Sequence, residues 1–308
     1  AARFCRMDNR VPVPPDASAA FTEVAQGARL MGHMFRSWGD PAPGSNFVQV
    51  NDLYPFEKVS DRAHHYVSAA LEHLTMWADY AAPLKFHPDA VTVFMMRPAY
   101  ALARAALESA AQAVWLMDTP DPVECVKRHL RLIRWDLQEH RKSKLDADGK
   151  QRVRDRDAQL LDRVRQVFTE DEIPPPPSYL WVIQQACRPE DLQLMGEEVE
   201  RLWRAASGAA HGMYWTNLEL TQVEAGEEYE PGHFRAFTLP DANAMVEALR
   251  AAHTMTQYAA LKYLDYAGAD IGALFGPART WLAENMTLRP EADEETRRKL
   301  IELEPGDL

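Results

Sequence analysis

The sequence predicts an all-α protein, a multi-helix bundle with one small β-hairpin. Apolar residues recur at three- and four-residue intervals over most of the 308 residues, the spacing that lines one face of a helix. Gly/Pro clusters separate these periodic runs, as breakers should. Period-two alternation is confined to residues near 214–239.

Asp16-Ala-Ser, after Pro14-Pro15, starts the first helix. Phe21, Val24, Ala28, Met31 and Phe35 follow at helical spacing up to Gly39-Asp-Pro-Ala-Pro-Gly44. A second helix is expected from about Pro55 to Ala82, with Val59, Ala63, Tyr66, Ala70, Leu74 and Trp77 on one face. Pro83 and the turn-like His87-Pro-Asp close it. In a third, from about Asp89 to Met117, apolar residues cover most of the circumference, which marks a helix enclosed by others. A fourth opens at Thr119-Pro-Asp-Pro, where Asp121 and Glu124 have capping-box spacing. A fifth follows Asp146-Ala-Asp-Gly149 and runs through Leu160, Val164 and Phe168.

Pro174 to Pro177 reads as a short polyproline II spacer and is the first place to look for a domain boundary. Glu190 to Ala210 is the next helix, with Met195, Val199, Leu202, Ala206 and Ala209 as its core face. Tyr214 to Glu224 and His233 to Leu239 read as a hairpin joined by a long Gly/Glu-rich loop. Asp241 to Tyr266 is the last helix, and the acidic tail over 290–308 is peripheral. With no internal repeat, the expectation is one helical domain over 1–308, helices over 16–82 packing on a core of about 89–266.

Composition narrows the function. A formal charge of −12 argues against a protein coated in nucleic acid. Yet thirteen basic side chains face seven acidic ones between Lys127 and Arg165, a local excess of six positive charges. Such a segment reads either as the wet face of two helices or as a track for a phosphate backbone, with Trp135 able to stack on a base. The most apolar run, Ala99 to Met117, is broken by Arg104 and Glu108, so no membrane span is expected. Cys5, Cys125 and Cys187 are odd in number and far apart, which suggests reduced thiols; with no leader legible, a cytoplasmic location is expected.

Two polar stripes carry the candidate chemistry. Arg204 and His211 are seven residues apart in Leu202-Trp-Arg-Ala-Ala-Ser-Gly-Ala-Ala-His-Gly-Met213. Seven steps of about 100° nearly close two turns, so they share a face with Ser207, away from the apolar stripe. An arginine that can hold a phosphate oxygen beside a histidine that can move a proton is a minimal phosphodiester-cleaving set. A solvated polar face has the same spacing. In the third helix, Arg97, Arg104 and Glu108 form a narrow polar stripe, with Trp115 further along it. Buried charges need partners: either an Arg104–Glu108 pair braces the bundle, or Arg97 and Arg104 face the Arg204/His211 helix across a pocket.

Arg97-Pro-Ala-Tyr-Ala-Leu-Ala-Arg-Ala-Ala-Leu-Glu108 and Arg204-Ala-Ala-Ser-Gly-Ala-Ala-His-Gly212 resemble the HEPN superfamily, marked by Arg, four to six residues, then His, and its uncharacterised bacterial members. The resemblance covers about Asp89 to Gly212. It departs from the usual pattern at Ala205, where nuclease members commonly carry a polar residue. It implies a metal-independent endoribonuclease with a composite site at a homodimer interface, in a toxin or phage-defence setting with an antitoxin or regulatory partner. His211 would be general base or acid, Arg204 would hold the phosphate, Ser207 would position it and Glu108 would orient His211 or an arginine. Arg97 and Arg104 would bind phosphate or another anion, and the small residues at 205, 206 and 208–210 would admit a second helix. No metal or cofactor is implied.

Two other classes stand beside it. One is a non-catalytic helical protein that binds a nucleotide or other anionic ligand through Arg97, Arg104 and Arg204. The other is a helical metalloenzyme, prompted by Asp61-x-x-His64, His65, Glu72 and His73, although no Glu-x-x-His pair occurs on an expected helix. Gly-x-Gly-x-x-Gly, Walker, Gly-x-Ser-x-Gly and His-Glu-x-x-His motifs are all missing.

Overall fold

The computed structural model describes residues 12–84 and 92–286. It is all-α apart from one hairpin. The helices are α1 (Pro15–Arg36), α2 (Asn46–Leu53), α3 (Val59–Ala81), α4 (Met96–Met117), α5 (Pro122–Ser143), α6 (Ala147–Val164), α7 (Tyr179–Ala186), α8 (Gly196–Ala210), α9 (Thr216–Glu219), α10 (Ala242–Tyr266) and α11 (Ile271–Asn285). The antiparallel strands are β1 (Thr221–Glu230) and β2 (His233–Pro240).

The enclosed helix is α4, which packs against α3, α10, α8 and α7. Its Ala99, Ala103, Ala106 and Ala110 are buried, and so are Leu107, Val114 and Leu116. Small side chains on so many sides let neighbouring helices approach closely. The expected face of α3 is the buried one, from Val59 to Trp77. Trp77 is fully buried and meets Phe21 of α1 edge-on, ring centroids 5.2 Å apart. Buried residues on both sides of Pro174–Pro177 belong to one hydrophobic cluster. No helix among the described residues is long and apolar enough to cross a membrane.

Several expected boundaries move. The second helix starts at Val59, not near Pro55, and α2, α7 and α11 arise where no helix was expected. The residues around His87-Pro-Asp lie outside those described, and α4 begins at Met96. At the start of α5, Asp121 accepts from the Val123 N–H, but Glu124 pairs with Arg128, so the expected capping box does not close. Asp146 caps α6 through the Gly149 N–H at 2.6 Å. Glu190–Leu192 forms a separate 3₁₀ turn, and Met195, the N-cap of α8, is exposed and not part of its core face. The first strand begins at Thr221 because Thr216–Glu219 turns helical, and the hairpin closes tightly at Gly232, where φ is +77°, not through a long loop.

Cys125 and Cys187 are free; burial pushes their thiols up to about 12 and about 11, which keeps both protonated near neutral pH. Cys5 and the acidic tail lie outside the described residues.

Two buried histidines are expected to make the fold acid-sensitive. His253 of α10 lies against Gly27 of α1, where an added Cβ would fall 2.3 Å from its Nε2. That nitrogen is buried without a hydrogen-bond partner, and burial pushes the ring down to about 4. His129, fully buried, is pushed down to about 3 by burial and by the Arg62 charge. Above about 6.5 these rings are neutral in both states. Below it, the unfolded chain takes up protons that the folded chain refuses, so stability falls from about 6.5 to about 4. Urea midpoints measured across that window should drop, and His253→Gln should flatten part of the slope. A midpoint unchanged down to pH 5 would contradict the buried neutral rings.

Candidate functional site

The two polar stripes meet where α4 packs on α8. Arg104, two turns into α4, is partly buried, and its Nε donates to Glu108 Oε1 at 2.8 Å. The indole Nε1 of Trp203 donates to the same oxygen, also at 2.8 Å. The Arg104 guanidinium lies 5.6 Å from the Trp203 ring centroid, a cation–π distance. Its Nη1 lies 3.2 Å from His211 Nε2. A guanidinium nitrogen can only donate, so this contact fixes Nε2 as acceptor and the ring proton on Nδ1.

His211 is the C-cap of α8. Its own N–H donates to the Ser207 carbonyl at 3.0 Å, and Gly212 then turns the chain away at a φ of +70°, a conformation glycine adopts without Cβ strain. The imidazole is therefore presented at a helix end, in solvent, with Arg104 behind it.

An open cleft of about 380 Å³ adjoins this group, lined by Arg104, Trp135, Glu139, Ser178, Tyr179 and Trp203 among others. Trp135 and Tyr179 pack on one another with centroids 4.5 Å apart. Burial, then the Glu108, Asp136 and Glu139 charges, raise the Tyr179 hydroxyl above its ordinary range, so it stays a donor. Three aromatic rings and one guanidinium thus share a wall.

The predicted residues divide. Arg104, Glu108 and His211 come together, and the bracing Arg104–Glu108 pair and the pocket across to α8 are both present. Arg204 does not join them: it is exposed and held by Glu200, one turn earlier, at 2.7 and 2.8 Å. That contact holds the Glu200 carboxyl below its ordinary range. Ser207 is half-buried with its hydroxyl unpartnered, and Arg97 is exposed, without a partner among the described residues. Trp115 is buried elsewhere, edge-on to Trp181 and near Arg128 and Arg131.

Trp203, Tyr179 and Glu139 were not singled out by the sequence reading. Tyr179 lies on the unanticipated α7, while Trp203 carried a usable signal, since it lies one turn before Ser207 on α8. His73 also lies near; burial pushes it below its ordinary value against the pull of Glu72 and Glu108. His64, His65, Glu72 and Asp61 form no metal-holding group with it among the described residues.

The small residues of α8 do not wait for a second chain. Ala205, Ala206, Gly208 and Ala209 are buried within the subunit. A Cβ on Gly208 would fall 2.6 Å from Thr216 Cγ2 and 2.8 Å from Trp215 Cζ2. Gly208→Ala is therefore expected to displace α9 and cost about 1–3 kcal/mol. Thermal denaturation would show it, and an unchanged melting temperature would mean that Trp215 moves aside freely.

The fold and this site define an all-α protein with an aromatic, arginine-bearing cleft. No family model, curated protein or solved structure matches the chain.

Proposed function

We propose that the chain is a HEPN-like, metal-independent endoribonuclease in which His211 moves the proton and Arg104, in place of Arg204, holds the phosphate. The Arg104–His211 contact beside the aromatic cleft supports this reading. Of the five N–H groups of Arg104, one serves Glu108 and one faces His211, leaving three for non-bridging oxygens. Trp135, Tyr179 and Trp203 offer faces on which unpaired bases can stack.

In the step proposed, the ribose 2′-hydroxyl replaces the arginine as partner of His211 Nε2 and gives it its proton. The 2′-oxygen bonds to phosphorus, the bond to the 5′-oxygen breaks, and that oxygen takes a proton from a water whose hydroxide then removes the proton held on His211. Arg104 offsets the charge that builds on the phosphoryl oxygens. The product carries a 2′,3′-cyclic phosphate. This reading goes with a cytoplasmic location, and a toxin or phage-defence role would add an antitoxin or regulatory partner.

Binding without cleavage is the second reading, as a nucleotide- or anion-binding protein. Glu108 already offsets Arg104, and Glu200 already holds Arg204. Single-stranded RNA incubated with the protein in excess chelator decides between them. Chelator-resistant cleavage leaving cyclic phosphate ends, with DNA of the same sequence intact, supports the nuclease. RNA retained uncut supports the binding protein, and cleavage abolished by chelator defeats the proposed chemistry.

A further inference from the structure

Among the described residues, the β1–β2 hairpin is an arm packed closely on α9 alone. A two-stranded hairpin alone is marginal in water. This one also exposes Val223, Tyr229 and Phe234, at 60, 56 and 56 %. Bare apolar side chains on an unpaired edge invite a partner. Beside them Glu227 and Glu230 are exposed.

A surface of opposite character lies between α5 and α6. It is an open groove of about 250 Å³ with Leu137, Val153 and Leu161 in its floor and Arg141 and Arg154 at its rim. Arg134 and Asp157, also in its wall, are paired to each other at 3.0 Å. Both rim arginines are exposed, and the hydrogen bonds that Arg154 makes go only to Gln151. The groove belongs to the segment with six excess positive charges in a chain of net −12.

We propose that the hairpin of one copy docks in the α5–α6 groove of a second copy, giving a two-fold homodimer held by reciprocal arms. Charge selects the partner: acidic side chains on the arm meet arginines at the rim, and apolar residues on the arm meet an apolar floor. The alternative face, the small residues of α8, is already covered by α9 and Trp215. Two-fold symmetry seats both arms and doubles the area buried, toward the 1,200 Å² or so that a specific interface needs. The proposal goes beyond RNA cleavage and does not depend on His211.

Sedimentation velocity at micromolar concentration tests it. The wild-type protein is expected as a dimer that dissociates as salt rises. Glu227→Lys/Glu230→Lys and Arg141→Glu/Arg154→Glu should each be monomeric with unchanged helicity, since all four side chains are exposed. An equimolar mixture of the two variants should return a dimer, because the lysine arm then meets the glutamate groove and the unaltered arm meets the unaltered groove. A monomeric wild type, a dimer that survives both variants, a ladder of larger species, or a mixture that stays monomeric overturns the proposal. So does a wild-type monomer whose Arg141→Glu/Arg154→Glu variant alone loses single-stranded RNA, which assigns the groove to nucleic acid.

Discussion

Replacing His211 with Ala is expected to lower RNA cleavage roughly 10²–10⁴-fold, the scale on which a general acid or base contributes, with helicity and melting temperature unchanged. The side chain is exposed, and its hydrogen-bond partner is Arg104, so its loss opens no cavity and breaks one solvent-exposed bond. Arg104→Lys should lose most of the activity too, because an ammonium cannot bond Glu108 and reach His211 while presenting a planar fork to phosphate. Arg204→Lys should do much less, since that guanidinium is held in solvent by Glu200. Initial rates on a fluorescent RNA separate the three variants. If Arg204→Lys proves as damaging as Arg104→Lys, the phosphate is held on α8 alone and the proposed exchange of roles is wrong.

The largest stability loss is expected at Trp77. Trp77→Ala should cost about 3–5 kcal/mol, through lost apolar burial and the cavity left behind. The indole is fully buried among Phe21, Tyr80 and Phe94, with centroids 5.2, 6.0 and 5.8 Å away. Its Nε1 has no hydrogen-bond partner, so the loss is one of packing, and Trp77→Phe should cost far less. Urea unfolding of both variants checks this. Equal midpoints for Ala and Phe would show that the ring is not held as described.

Long helices were legible because their signal is summed over many residues. The faces of α1 and α3 and the enclosure of α4 follow from apolar spacing alone. So does the start of α10, where Asp241 caps two backbone N–H groups. The missed helices lack that redundancy. α2 and α7 are eight residues each, with two and three buried residues, and α11 carries Pro277 within it, which reads as a breaker. Tertiary burial decides such segments, not local pattern.

The candidate site divides along the same line. Helical spacing aligned Arg104 with Glu108 and turned both toward α8, and the His211 contact agrees with that geometry. The pairing of Arg204 was also written in the chain, since Glu200 stands four residues before it. Nothing local could bring Trp135 of α5 and Tyr179 of α7 to the same cleft as Trp203 of α8. Those rings meet only once the helices dock.

Arg104 and His211 are 107 positions apart in sequence. Neither helix holds the pair by itself, and the intervening chain includes α5, α6 and α7. During synthesis, the arginine leaves the ribosome long before the histidine exists. The assembled pair therefore exists only once α4 and α8 have docked, and a nascent or truncated product ending before α8 cannot form it.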